Sequence, residues 1–159
     1  MPTSTAFWNA IGIGVIALWA LLLSWWDITK QRLPNWLTVP PAVLAIVLAV
    51  YLATVEGNLH GLWGLIWPCT YLMTSAVSGG IGGGDIKLAV SLGIGVAFFS
   101  GILGVIIVMG TASVLSLFGF VFARFLKGPR EQTAIPHGPG MLLATYLYII
   151  WGTNEALLQ

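Results

Sequence analysis

Residues 6 to 26 (AFWNAIGIGVIALWALLLSWW) run without one ionisable side chain. Roughly 20 apolar residues suffice to carry a helix across a hydrocarbon core, so such a run belongs in a bilayer or at the centre of a large protein. Composition closes the second option. Of 159 residues, 58% are hydrophobic and 7% charged, whereas soluble domains carry about 25% charged residues. The chain therefore reads as an integral membrane protein. It is expected to be all α, because a helix satisfies its own backbone groups where water is absent. No basic stretch precedes the first run and no small-x-small cleavage site follows it, so it reads as a retained span rather than a removed signal. Little length remains for a soluble catalytic region, and residues 1–159 are expected to form one membrane-embedded domain.

Further spans follow from the same reasoning. Residues 37 to 55 form a second apolar run, entered through Pro34 and Asn35, a pair suited to a helix start in which the asparagine caps. Residues 62 to 78 make a third, ended by the glycine cluster at 79 to 84. The run from Ile86 to Ala123 is too long for one crossing and is expected to break around Ser100 and Gly101 into a fourth and a fifth. Residues 138 to 151 make a short sixth. Alternating loops then place Lys30, Arg32, Lys87, Arg124, Lys127 and Arg130 on one side, with Glu56 and Glu155 on the other. The positive-inside bias makes the basic side cytoplasmic and both termini extracytoplasmic. Trp19 falls away from both interfaces and is expected to pack on lipid or on a helix.

Several function classes drop out. The net charge is +1 and the six basic residues form no run, so nucleic acid is not an expected partner, whereas membrane lipid is. Cys69 is the single cysteine, which excludes an intrachain disulfide and a CxxC zinc site.

Of five acidic residues, Asp27 and Asp85 abut hydrophobic spans on the basic side. They are separated by 57 intervening residues yet expected at similar depth. Carboxylates in such a position need partners or a task. Two of them facing one another cannot comfortably both ionise, and they titrate as a pair sharing one proton. Such a pair can hydrolyse an amide without a nucleophilic side chain or a metal, one acid drawing a proton from water while the other polarises the carbonyl. Taken singly, Asp27 is equally an interfacial residue paired with Lys30 or Arg32, and Asp85 equally a helix N-cap.

Their surroundings separate these readings. Asp27 opens Asp-x6-Pro-Asn (DITKQRLPN), and Asp85 closes Gly-x-Gly-Asp within GGGDIKL. Here the sequence resembles the type IV prepilin, or leader, peptidases of the GxGD group of intramembrane aspartyl proteases. The matching positions are Asp27, Pro34 and Asn35, then Gly82, Gly84, Asp85, Lys87 and Leu88, with Gly83 between them as a site-supporting residue, and more weakly Ile135, Pro136, His137, Gly138 and Pro139. The resemblance implies a catalytic pair, Asp27 and Asp85, at the cytoplasmic edge of the plasma membrane, working without a cofactor. It also implies a substrate, the precursor of a pilin or pilin-like protein, with a short basic leader, a glycine at the cleavage point and then a hydrophobic helix. A region with cysteine pairs, which accompanies N-methylation in larger members, is missing, so the chain is similar to the short, peptidase-only forms of tight-adherence (Flp) pili or to preflagellin peptidases. A tryptophan, not a tyrosine, precedes Asp27, unlike the presenilin-like proteases.

The supporting residues have physical readings of their own. The glycines at 79 to 84 let backbone approach a substrate closely and present Asp85. Pro34 and Asn35 shape the loop and the start of the second span. Lys87 is expected to snorkel to the interface. The Pro136 to Gly140 segment is expected to depart from regular helix and to hold substrate extended. His137 reads as structural rather than as a general base, and His60 lies on the outer side. A small ion-coupled transporter and an inactive pilus-assembly scaffold are the alternatives; a transporter would place a charge near the bilayer midplane, and this chain has none there.

Overall fold

The computed structural model describes residues 4–127 and 137–157. In chain order the elements are α1 (Ser4–Lys30), α2 (Asn35–Val55), a 3-10 helix (His60–Leu65), α3 (Ile66–Ser78), α4 (Gly83–Lys127) and α5 (His137–Leu157), with no strand among the described residues. Three helical stretches are long and apolar enough to cross a membrane: Ile11–Lys30, Asn35–Val55 and Gly83–Phe125. Their outer faces are apolar too. Leu21, Leu44 and Phe125, one from each, are 68%, 69% and 87% exposed, a surface suited to lipid rather than water.

Helix α4 covers the long apolar run. A straight helix of 43 residues would extend roughly 65 Å, about twice the hydrocarbon thickness. It is broken at Gly101, with φ 60° and ψ −157°, where the sequence analysis puts the division. That backbone region is open to glycine and strained for any other residue. Gly101→Ala is therefore expected to cost about 1–3 kcal/mol of stability, read as a lower midpoint of thermal unfolding in detergent.

The third apolar run is not one helix. Its first part is the 3-10 helix and α3 has only 13 residues. The cause is steric: the backbone of Gly64 lies directly on that of Gly93 in α4, and Gly61 faces the Phe98 ring. Helix α3 then stops at Gly79, whose left-handed φ of 66° lets its N–H bond back to the Ser75 carbonyl. The glycine cluster is only partly a loop, since Gly83 and Gly84 already belong to α4.

Helix α4 is the central column, packed against α2, α3, α5 and the 3-10 helix, whereas α1 packs chiefly against α5. Small buried residues, Ala89, Ala97 and Ala112, let its neighbours come close. Trp67 and Leu23 fill the space between them. Trp19 packs on a helix: its indole N–H donates to the Leu37 carbonyl of α2 at 2.9 Å. Arg130 and Pro136 lie outside the described residues, as do the side chains of Lys127 and Glu155.

Candidate active site

Asp27 sits on the last turn of α1, not in the following loop. Leu23, one turn earlier, shares its face and is fully buried, so Asp27 is turned inward. It is 5% exposed, which does not suit a surface ion pair with Lys30 or Arg32. Its partner is the Gly138 backbone N–H, which donates to Asp27 Oδ2 at 2.9 Å. Just beyond, Gln31 takes a left-handed φ of 52°, closing α1 with its N–H on the Asp27 carbonyl and turning the chain towards α2.

The connection into α2 differs from expectation in one respect. Pro34 occupies the N-cap position with extended backbone, φ −73° and ψ 138°. Asn35 is the first helical residue and does not cap; its Oδ1 accepts from Lys87 Nζ at 2.7 Å. Lys87 is thus tied across to the first connection rather than simply reaching for the interface. Trp26 and Trp36 brace the same corner edge to face, 6.0 Å apart.

The start of α4 brings the second acid. The Gly82 carbonyl accepts from the N–H groups of Asp85 (3.0 Å) and Ile86 (3.3 Å). Asp85 is consequently in the first turn of α4 and is not its N-cap. Gly84 has a steric task, since a Cβ there would come within 2.7 Å of Leu33 Cβ. The first turn of α4 can lie against the α1–α2 connection only because that atom is missing.

Between these elements lies a cavity of about 450 Å³. Asp27, Gln31, Arg32, Leu33 and Asn35 form one wall, and Gly82, Gly83, Gly84, Asp85 and Lys87 the other. The two carboxylates are within electrostatic range of one another. Pro34 stands beside the cavity as the α2 cap, Gly138 lies behind Asp27, and Pro139 follows in the first turn of α5. That turn corrects the expectation of irregular backbone for residues 137 to 140, because helix begins at His137. A proline in a first turn costs no hydrogen bond, its missing N–H being one that has no intrahelical acceptor anyway.

Leu33 escaped the sequence reading, yet it touches both glycines that matter: a Cβ on Gly138 would meet Leu33 Cδ2 at 3.4 Å. Its signal is that it is the one large apolar side chain between Thr29 and Asn35. His137 and Tyr71 were missed as a pair; their rings lie 6.4 Å apart behind the acids. Among the described residues no group of three His, Cys, Asp or Glu is placed to hold a metal ion.

An all-helical chain with apolar outer faces and two acids sunk in one polar cavity is a membrane protein with an internal site built for polar chemistry. The sequence profile of the type IV leader peptidase family matches residues 14–129, and the protein belongs to that family of proteases. Neither a curated protein nor a solved structure matches the chain. The matched stretch contains both aspartates and the glycine turn but stops before α5.

The Gly84 contact gives a test of how tightly the site is set. Gly84→Ala forces the first turn of α4 away from Leu33 and carries Asp85 with it. If Asp85 takes part in the reaction, proteolytic turnover is expected to fall about 10- to 100-fold, the usual consequence of misplacing a reacting group by about an ångström, as measured by release of leader peptide.

Proposed function

We propose that this protease is an aspartic endopeptidase that removes the leader peptide from precursors of pilin-like proteins, with Asp27 and Asp85 as its acid–base pair. The observation that carries this reading is the meeting, in one cavity, of two carboxylates from helices far apart in sequence. One carboxylate accepts a proton from a water held between them, and the hydroxide so formed attacks the scissile carbonyl. The other, protonated, donates to the carbonyl oxygen. No cofactor is required, and N-methylation is not part of the activity.

In this reading the chain is a single membrane-embedded domain with six crossings, the break at Gly101 separating the fourth from the fifth. Both termini are extracytoplasmic, and the cavity opens at the cytoplasmic edge of the plasma membrane beside Arg32 and Lys87. The substrate's hydrophobic helix stays in lipid while its leader enters the cavity. Gly82 and Gly83, exposed at the cavity wall, give the extended leader room to approach backbone. Lys87 and Asn35 hold the two walls in register, and Pro34 and Pro139 fix the starts of the helices around them.

The experiment is incubation of the purified chain, in lipid vesicles, with a pilin-like precursor carrying its leader, followed by mass spectrometry of the new N-terminus. A single cut at the junction between leader and hydrophobic helix is expected. An intact precursor, offered several such substrates, overturns the proposal.

A further inference from the structure

The two acids are not equivalent in their surroundings. Asp27 Oδ2 accepts from the Gly138 N–H at 2.9 Å in a buried contact. Gly138 is the second residue of α5, so that N–H has no acceptor within its own helix and is free to serve the carboxylate. Asp85 Oδ1 is also buried but has no hydrogen-bond partner among the described residues. A donor aimed at a carboxylate oxygen favours its charged form, whereas a buried oxygen without a donor penalises charge.

The helix ends act against this difference in part. Asp85 lies at the positive end of α4 and Asp27 at the positive end of α5, but Asp27 is also in the last turn of α1, whose negative end disfavours its charge; the order rests on the donor fixed on Asp27. Among the remaining groups, the Gly82 backbone lies against Asp85 and favours its charge, though the buried Oδ1 stays without a donor. His137 of α5 is within electrostatic range of Asp27, where any positive charge on the imidazole favours a negative Asp27. Tyr71 of α3 faces Asp85 as a neutral phenol. Arg32 and Lys87 line the cavity shared by both acids, the Lys87 ammonium being bonded to Asn35.

We infer that Asp27 is the ionised member of the pair and the general base, that the shared proton rests on Asp85, and that Gly138 is the positioning residue that fixes this order. The inference rests on the two aspartates being the catalytic pair. In the forward step a water O–H bond breaks, its proton passes to Asp27, and its oxygen bonds to the scissile carbon. The Asp85 proton passes to the carbonyl oxygen, leaving a neutral gem-diol. In the second step the proton on Asp27 goes to the amide nitrogen, the C–N bond breaks, and a gem-diol hydroxyl returns its proton to Asp85. One water is consumed, and both acids end as they began. Glycine at 138 follows, because a Cβ there would stand 2.9 Å from Asp27 Oδ2 and 3.3 Å from its Cγ.

Two reagents distinguish the acids in the full chain, reconstituted in phosphatidylcholine vesicles. An aryloxy-epoxypropane is opened by a carboxylate. A diazoacetyl ester takes the proton of a carboxylic acid, loses dinitrogen and forms an ester with it. Peptide mapping is expected to find the epoxide on Asp27 and the diazo reagent on Asp85, each at least about tenfold over the other acid. Reversed or unselective labelling overturns the inference while leaving the pair intact. Labelling of neither acid also overturns it, and Asp27→Asn and Asp85→Asn assayed alongside then report whether the pair itself has failed.

Exchanging Gly138 for glycolic acid removes the N–H and adds no atom that can press on Asp27. A fall in kcat of about tenfold with KM unchanged is expected, together with diazo labelling that spreads to Asp27. Unchanged kcat and unchanged labelling overturn the role of Gly138.

Discussion

With Asp27 and Asp85 as the proposed acid–base pair, Asp27→Asn and Asp85→Asn are each expected to reduce cleavage of a co-expressed precursor at least about 1000-fold, within the range that loss of an essential acid or base produces. The fold is expected to survive both changes. Asparagine matches aspartate in shape, and its carbonyl oxygen can still accept from the Gly138 N–H that now holds Asp27. Asp27→Asn removes the one charge that the inferred pair carries in a buried site, and Asp85→Asn exchanges a neutral acid for a neutral amide of the same shape. Thermal unfolding midpoints equal to or above that of the parent are therefore expected, together with absent processing on an immunoblot. An active Asp27→Asn or Asp85→Asn chain would remove the basis for the proposed chemistry.

The largest effect on stability is expected far from the acids. Gly64→Ala places a methyl group against the backbone of Gly93 and Ile94, where no side chain can rotate aside. The 3-10 helix and α4 must separate, at a cost of about 3 kcal/mol, in the upper range for overpacking. Gly95→Ala, two residues along the same helix as Gly93, is the control, because nothing lies within 4 Å of the added atom. It is expected to change stability by less than about 1 kcal/mol, in the stabilising direction, since alanine is the better helix former. Protease resistance of the two chains in detergent, measured side by side, checks both. Equal resistance would mean that the contact between Gly64 and Gly93 is not a fixed part of the fold.

What could be read from the sequence was carried by strong local signals. Apolar runs without charge announce helices in lipid, and the break at Gly101 is visible because no single helix of that length fits a bilayer. The grouping of Asp27 with Asp85 came from two motifs rather than from either residue alone. Less legible was everything decided by how helices dock. Lys87 meets Asn35 across 52 residues and Gly138 meets Asp27 across 111, and no periodicity in a single chain encodes such a meeting. Leu33 looked like an ordinary loop residue until the absent Cβ of Gly84 gave it a neighbour. The third apolar run misled for a related reason. Hydropathy measures whether a segment prefers lipid but not whether close backbone contact tightens it into a 3-10 helix. The two prolines around His137 suggested irregular chain, yet the first turn of a helix is where a proline does least harm.

The pairing of α1 with α5 has a consequence for the life of the chain in the cell. Asp27 leaves the ribosome early, whereas the amide that holds it emerges 111 residues later. A nascent or prematurely terminated polypeptide thus carries both acids without the turn that anchors the first. Until α5 is in place the Asp27 carboxyl lacks that donor, so the end of α1 is completed only when a helix far along the chain docks against it.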